Sequence, residues 1–166
     1  MYYINIFFVF SVLGHIIEGF TYAKIDGGIL YGFWTPVYGL GVLVIVIVNI
    51  FISRLKLNKW LKVLLLFLMS SVILALLELV GGYFIEFVFG RVFWNYQSHF
   101  VPIGKYTSLQ MMGVWGTISI ALVYLIIPHI EGLIRKIPKW ITYALLIVFL
   151  VDLVYTFVRL SDFKFW

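Results

Sequence analysis

The sequence predicts an all-α, polytopic membrane protein: a helical bundle of about five transmembrane helices in one domain that covers residues 1–166. The first observation is composition, because 64% of the residues are hydrophobic and only 11% are charged. Soluble domains carry roughly 25% charged residues, so a bilayer has to take up apolar surface that a soluble core could not hide. The second observation is a series of apolar runs near the roughly 20 residues that a helix needs to cross a membrane.

Five spans follow from these runs and from the polar residues that separate them. The first runs from about Tyr3 to Ala23, and it has neither a basic leader nor a small-residue cleavage signal. We therefore interpret it as a retained membrane helix rather than a signal peptide. The other spans are expected at about Thr35–Ser53, Leu61–Phe89, Ser108–Pro128 and Trp140–Leu160. No connector is long enough to divide the chain.

Two basic connectors set the predicted orientation. Residues 54–62 and 129–139 together carry Arg54, Lys56, Lys59, Lys62, Arg135, Lys136 and Lys139. Connectors rich in Lys and Arg stay on the cytoplasmic side. This places the N-terminus inside and the C-terminus outside.

Several chemistries have no sequence signal. The chain contains no cysteine, which excludes disulfides, thiolate metal sites and a cysteine nucleophile. It also lacks the Gly-x-x-x-x-Gly-Lys-Ser/Thr loop that cradles nucleotide phosphates. We expect no cofactor, no metal site, no nucleic-acid partner and no nucleotide binding by this chain alone.

The third span carries two acids inside an apolar run. Glu78, Gly82 and Glu86 are spaced i, i+4 and i+8, so they share one stripe of a helix, with about 12 Å along the axis between the two acids. A charged side chain facing lipid at the bilayer centre costs about 2.5–3.5 kcal/mol, so Glu78 must face protein, water or a cation, or be protonated. A hydrogen bond that serves only packing is one alternative, and a functional polar site is favoured.

The glycines beside these acids predict a close neighbour. Gly81 and Gly82 thin the helix and permit another helix to approach. We expect the first span to pack there, so that Glu18, Glu78 and Glu86 line one polar cavity open to the outer side.

The first and last spans carry further polar side chains. His15 and Glu18 are three residues apart on one helical face, where they can form a structural hydrogen bond or a proton relay; metal ligation by the pair is a less favoured alternative. Asp152 and Arg159 lie two turns apart and are each expected to pair across helices, with Arg91 as a candidate partner of Glu86 or Asp152. The predicted substrate- or ion-binding residues are therefore His15, Glu18, Glu78, Glu86 and Asp152.

Two segments, each of which joins two predicted spans and overlaps the start of the second, are rich in glycine and aromatic residues. The segment GGILYGFWTPVYGLG, residues 27–41, fits either a turn with aromatic anchors or a broken, re-entrant backbone. In residues 91–110, Trp94, Tyr96 and Phe100 are expected at the level of the lipid head groups.

These segments resemble a known family. The chain resembles the CmpB-like, type IV family of ABC-transporter permeases, small bacterial multi-pass membrane proteins, over about residues 5–130. The motifs that carry the resemblance are GGILYGFWTPVYGLG, LLELVGGYFIEFVFGRVFWNYQ and SLQMMGVWG. The positions that match its motifs are Gly32, Pro36, Tyr38, Gly39, Glu78, Glu86, Gly90, Trp94, Tyr96, Trp115 and Gly116. Asn95 departs from the usual Asp, and Gly104–Lys105 only approximates the family's Gly-Arg. We expect Gly81, Gly82 and Arg91 to be structural residues of the same region.

The resemblance implies a multi-pass protein of the bacterial plasma membrane and a separate ATPase subunit. We favour a transport component for a cation or a proton-coupled solute. An intramembrane enzyme acting on a lipid head group and a non-catalytic scaffold subunit are the alternatives. Membrane lipid is an expected partner, and the oligomeric state, a homo-oligomer included, is left open.

Overall fold

The computed structural model describes residues 1–22, 30–90 and 92–162. Its elements are α1 (Tyr2–Tyr22), α2 (Pro36–Ser53), α3 (Lys59–Phe89), β1 (Pro102–Ile103), β2 (Thr107–Ser108), α4 (Leu109–Ala121), α5 (Ile127–Arg135) and α6 (Lys139–Asp162). A π-helical turn, Leu122–Ile126, joins α4 to α5. In these ranges five helical stretches are long and apolar enough to cross a membrane, which confirms the predicted number of spans. The predicted orientation stays a prediction.

Capping residues explain where the third helix begins and ends. The side chain of Asn58 accepts a hydrogen bond from the backbone N–H of Leu61 at 2.8 Å, so α3 starts at Lys59 rather than at Leu61. Gly90 ends the helix in the left-handed region at φ 65°, which glycine adopts without a steric penalty. The predicted end of the first span, Ala23, lies outside the described residues.

The predicted end of the fourth span at Pro128 is wrong. The helix passes through this proline and continues to Arg135. Proline lacks an N–H, and its ring clashes with the preceding turn of a regular α-helix. The π-helical turn just before Pro128 relieves this clash by opening the backbone, because the N–H of Ile127 donates to the carbonyl of Leu122. The basic connector is consequently only three residues long, 136–138.

The described chain packs as two units, residues 1–43 with 129–166 and residues 44–128, and each is described by itself. The prediction of a single domain over residues 1–166 stays a prediction. In the first unit, the rings of Phe7, Phe8, Trp34 and Phe149 contact one another with centroid distances of 5.2–6.3 Å.

A buried polar link also holds the first unit together. The Asn5 side chain donates to the carbonyl of Ile134 at 3.3 Å and accepts from the Thr142 hydroxyl at 2.6 Å. These bonds connect α1, α5 and α6.

In the second unit, α4 packs against α3 and a β-hairpin, residues 102–108, follows the aromatic loop. Pro102 pairs with Ser108 and Ile103 pairs with Thr107, and the turn between the strands contains Gly104 at φ 67°. The hairpin has no signal in the sequence, because two-residue strands are too short to show alternation.

Candidate functional site

Glu78 is a buried carboxylate in the middle of α3, with a relative exposure of 7%. Its Oε2 accepts a hydrogen bond from the Thr107 hydroxyl at 3.2 Å, and its Oε1 accepts one from the Tyr96 hydroxyl at 3.4 Å. The indole of Trp115 on α4 also interacts with this carboxylate. All three of these partners are uncharged, and two of them, Thr107 and Tyr96, donate hydrogen bonds to the carboxylate. The carboxylate is therefore solvated by neutral groups.

Gly82, one turn after Glu78, is covered by an aromatic ring. A methyl group at Gly82 would overlap the side chain of Tyr106, the residue just before β2. At Gly81, by contrast, an added methyl would meet nothing within 4 Å. The close neighbour at Gly82 is thus the hairpin, where the sequence led us to expect the first span.

Glu86 is bound by the same hairpin. The ammonium group of Lys105 lies 2.5 Å from its Oε1, and the Tyr106 hydroxyl donates to its Oε2 at 2.7 Å. The hydrogen bond to Glu86 raises the pKa of Lys105. Burial, and next the bond to Glu86, raise the pKa of the Tyr106 hydroxyl. Glu86 therefore has a cationic partner, and Arg91, the partner expected from the sequence, lies outside the described residues.

Glu18 occupies a half-buried position on α1. Its Oε2 accepts from the Thr35 hydroxyl at 3.2 Å, and Tyr38 at the start of α2 also interacts with it. His15 packs edge-on against the ring of Phe33, with centroids 5.7 Å apart. Among the described residues, the Nδ1 atom of His15 is buried without a hydrogen-bond partner.

Asp152 on α6 holds the segment that precedes α2. Its carboxylate accepts from the backbone N–H groups of Tyr31 at 3.1 Å and Gly32 at 2.9 Å, and from the indole of Trp34 at 2.7 Å. The Thr156 hydroxyl donates to it at 3.3 Å. The described partners of Asp152 on neighbouring segments are thus backbone and indole donors. Arg91, the candidate partner expected from the sequence, lies outside the described residues.

The remaining motif residues shape the backbone around these carboxylates. Pro36 is the first residue of α2, a position where the missing N–H costs nothing. A side chain at Gly32 would overlap the indole of Trp34, and one at Gly39 would overlap Ser11. The indole of Trp94 donates to the carbonyl of Tyr106 at 3.2 Å and so fastens the hairpin to the aromatic loop.

The family motifs include Tyr38, Tyr96 and Trp115, but the sequence did not single out several other residues that contact the acids from outside their own helices. Thr35, Thr107, Tyr106 and Lys105 are the main ones. Lys105 had one weak signal, its approximate match to the arginine of the family motif. In the described ranges, no group of three or more His, Asp or Glu residues could hold a metal ion.

The five membrane-length apolar helices are those of a multi-pass membrane protein. The chain belongs to the family described as "Putative ABC-transporter type IV", whose profile matches residues 5–157. This match confirms the resemblance and extends it beyond residue 130. Membership and the five apolar helices together fit a membrane transport component. Comparison with curated proteins and with solved structures found no match.

Proposed function

We propose that this chain is the membrane-embedded component of a transporter and that Glu78 binds a proton or a small cation during transport. The observation that carries the proposal is the combination of burial and neutral surroundings at Glu78. An ionised carboxylate in an apolar environment is costly unless a positive charge or a proton neutralises it. The neutral donors around Glu78 orient the carboxylate and leave its charge to be balanced by a ligand.

The other acids of the predicted site divide into two groups. Glu86 has the ammonium of Lys105, and Asp152 has donors from Tyr31, Gly32 and Trp34. These contacts favour structural roles for both, because Glu86 has a cationic partner, whereas Asp152 is half-exposed and binds two backbone N–H groups of another segment. Glu18 resembles Glu78, because the hydroxyl of Thr35 is a neutral donor. Glu78 and Glu18, with His15 beside the latter, are therefore our candidates for ligand binding.

The predicted orientation gives these carboxylates access from the outer side of the bacterial plasma membrane. Glu18 lies in the last turns of a helix that would run outward, and Glu78 lies in the outer half of another. An outward-facing polar cavity for a cation or a proton-coupled solute is part of the proposal. Family membership supports a separate ATPase subunit as the partner.

A scaffold subunit is the second candidate function. The internal partners of Glu86 and Asp152 favour it, since acids held by such partners can serve packing alone. Ligand binding at Glu78 separates the two candidates.

Melting curves of the full chain in lipid nanodiscs test the proposal. A ligand that binds only the folded state raises the melting temperature as its concentration increases. We expect wild type to respond to Na⁺ or K⁺ at fixed pH, or to acidification at fixed salt, and Glu78→Gln to lose much of that response. Glu131→Gln is the matched control, because Glu131 forms an exposed pair with Arg135. Equal responses in wild type and Glu78→Gln would favour the scaffold.

A further inference from the structure

The helices that carry Glu18 and Glu78 share a pattern of three residues. Phe7, Ser11 and Glu18 on α1 correspond to Phe67, Ser71 and Glu78 on α3, with identical spacings of four and seven residues. Because the spacing is the same, the serine and the acid lie at the same height and on the same side relative to the phenylalanine in both helices.

The helices that follow in the chain repeat the contact. A side chain at Gly39 would overlap the hydroxyl of Ser11 and the ring of Phe7. A side chain at Gly116 would overlap the hydroxyl of Ser71 and the ring of Phe67. In both pairs, therefore, a glycine of the second helix packs against the serine and the phenylalanine at equivalent positions of the first helix.

The residue before each glycine interacts with the acid of the first helix. Tyr38 precedes Gly39 and interacts with Glu18, and Trp115 precedes Gly116 and interacts with Glu78. Each of these residues follows a valine, so the second helices share a Val-aromatic-Gly motif. Tyrosine and tryptophan both combine a large ring with one polar hydrogen-bond donor, the hydroxyl or the indole N–H.

We infer that the chain contains two copies of one helix pair, and that Glu18 and Glu78 are equivalent sites that each bind one positive charge, a proton or an alkali cation. This inference rests on the proposed function of Glu78 and adds a second site of the same chemistry. The repeat lies in the contacts within each unit, where phenylalanine, serine, acid, aromatic donor and glycine recur in the same roles.

The surroundings of the two acids differ in their additional groups. Glu18 has Thr35 and, one turn earlier on its own helix, His15. Glu78 has Thr107 and Tyr96, and Ala75 stands where the first copy has His15. The threonines come from different positions relative to the glycines, so the repeat preserves a hydroxyl donor but not its place in the chain. The two sites are expected to bind the same ligand with different affinities.

Infrared difference spectroscopy of the full chain in nanodiscs tests the inference. We expect two carboxyl signals that respond either to pH or to Na⁺ and K⁺, and these two titrations distinguish a proton from an alkali cation. Glu18→Gln should remove one signal and Glu78→Gln the other. Circular dichroism and gel filtration report whether each variant is folded.

Exchanging the aromatic donors is the sharper arm. The double variant Tyr38→Trp with Trp115→Tyr should keep both signals, because each site receives the donor that the other site uses. Tyr38→Phe should shift the midpoint of the Glu18 signal alone by about tenfold, and Trp115→Phe should shift that of the Glu78 signal alone by a similar factor. Each variant removes the polar group of a side chain that interacts with that acid, and about 1.4 kcal/mol corresponds to a factor of ten.

The outcomes separate this inference from the proposed transport function. A single responding carboxyl, or loss of either signal in the folded exchange variant, would overturn the equivalence of the sites. Two responding carboxyls in a protein that moves no ion would leave the equivalence intact and reject transport.

Discussion

Tyr106 lies with its ring against Gly82, so the β-hairpin closes directly over the polar stripe of α3. The neighbours of Tyr106 in the chain complete the cover: Lys105 binds Glu86 and Thr107 binds Glu78. Three consecutive hairpin residues thus contact three successive turns of one helix. The stripe of two carboxylates and a glycine is a docking surface for the hairpin, with Glu78 at its buried end.

Replacing Gly82 by alanine should loosen the hairpin. The added methyl would overlap the Tyr106 ring, and overpacking of this kind costs about 1–3 kcal/mol. Gly81→Ala is the matched control, because an added methyl there meets nothing within 4 Å. Thermal unfolding in detergent should show a lower melting temperature for Gly82→Ala than for Gly81→Ala. Equal melting temperatures would mean that Tyr106 moves away at no cost.

The Lys105–Glu86 pair should make the protein sensitive to alkaline pH. The pKa of Lys105 is raised in the folded state, so its stabilisation is complete below the unfolded pKa of about 10.4 and is lost as the pH rises through the folded value. The raised pKa of Tyr106 acts in the same direction. Lys105→Met should reduce the decline of melting temperature above about pH 10, the range where both side chains titrate.

Lys56→Met serves as the control for this experiment, since Lys56 is exposed in the connector before α3. We expect its alkaline melting curve to match that of wild type. A Lys105→Met curve that also matches wild type would show that the pair contributes nothing to stability.

Asp152→Ala should free the segment before α2. The variant removes the acceptor of the Tyr31 and Gly32 N–H groups, and we expect their hydrogen exchange to accelerate about tenfold or more. Thr156→Val is the control, because it removes only the donor from α6. Unchanged exchange at Tyr31 and Gly32 in Asp152→Ala would show that other contacts hold the segment.

The orientation can be tested with single cysteines, since the chain contains none. Lys56→Cys lies in the first basic connector and Gln97→Cys in the aromatic loop, and both positions are exposed. An impermeant thiol reagent applied to intact cells should label position 97 and leave position 56 unlabelled. The reverse pattern would invert the predicted topology. Asn58 is a poorer probe because its side chain caps α3.

The sequence predicted the helices well because a bilayer imposes a length and an apolar composition that are visible in a single chain. It also identified the stripe of Glu78, Gly82 and Glu86, since helical spacing alone places them on one face. The error at Pro128 arose because proline usually ends a helix, whereas the π-helical turn before it allows the helix to continue here.

The partners of the acids could not be predicted, because they depend on contacts between distant parts of the chain. Thr107 lies 29 residues from Glu78, and the Trp34 indole lies 118 residues from Asp152. No local spacing encodes such contacts. The hairpin that supplies Lys105, Tyr106 and Thr107 has no periodic pattern of its own, so the cover over Gly82 appeared only in the structure.

The role proposed for Glu78 is to exchange a positive charge as the protein works. Ion movement in proteoliposomes tests it most directly, with the chain reconstituted alone and together with any ATPase that co-purifies with it. Entrapped pH- and Na⁺-sensitive dyes report the ion. We predict that wild type and Glu131→Gln move protons or Na⁺, and that folded Glu78→Gln does not, because glutamine keeps the shape of the side chain but cannot bind a proton or a cation in the same way. Ion movement in Glu78→Gln at the wild-type rate would contradict the claim and leave Glu78 as a packing residue.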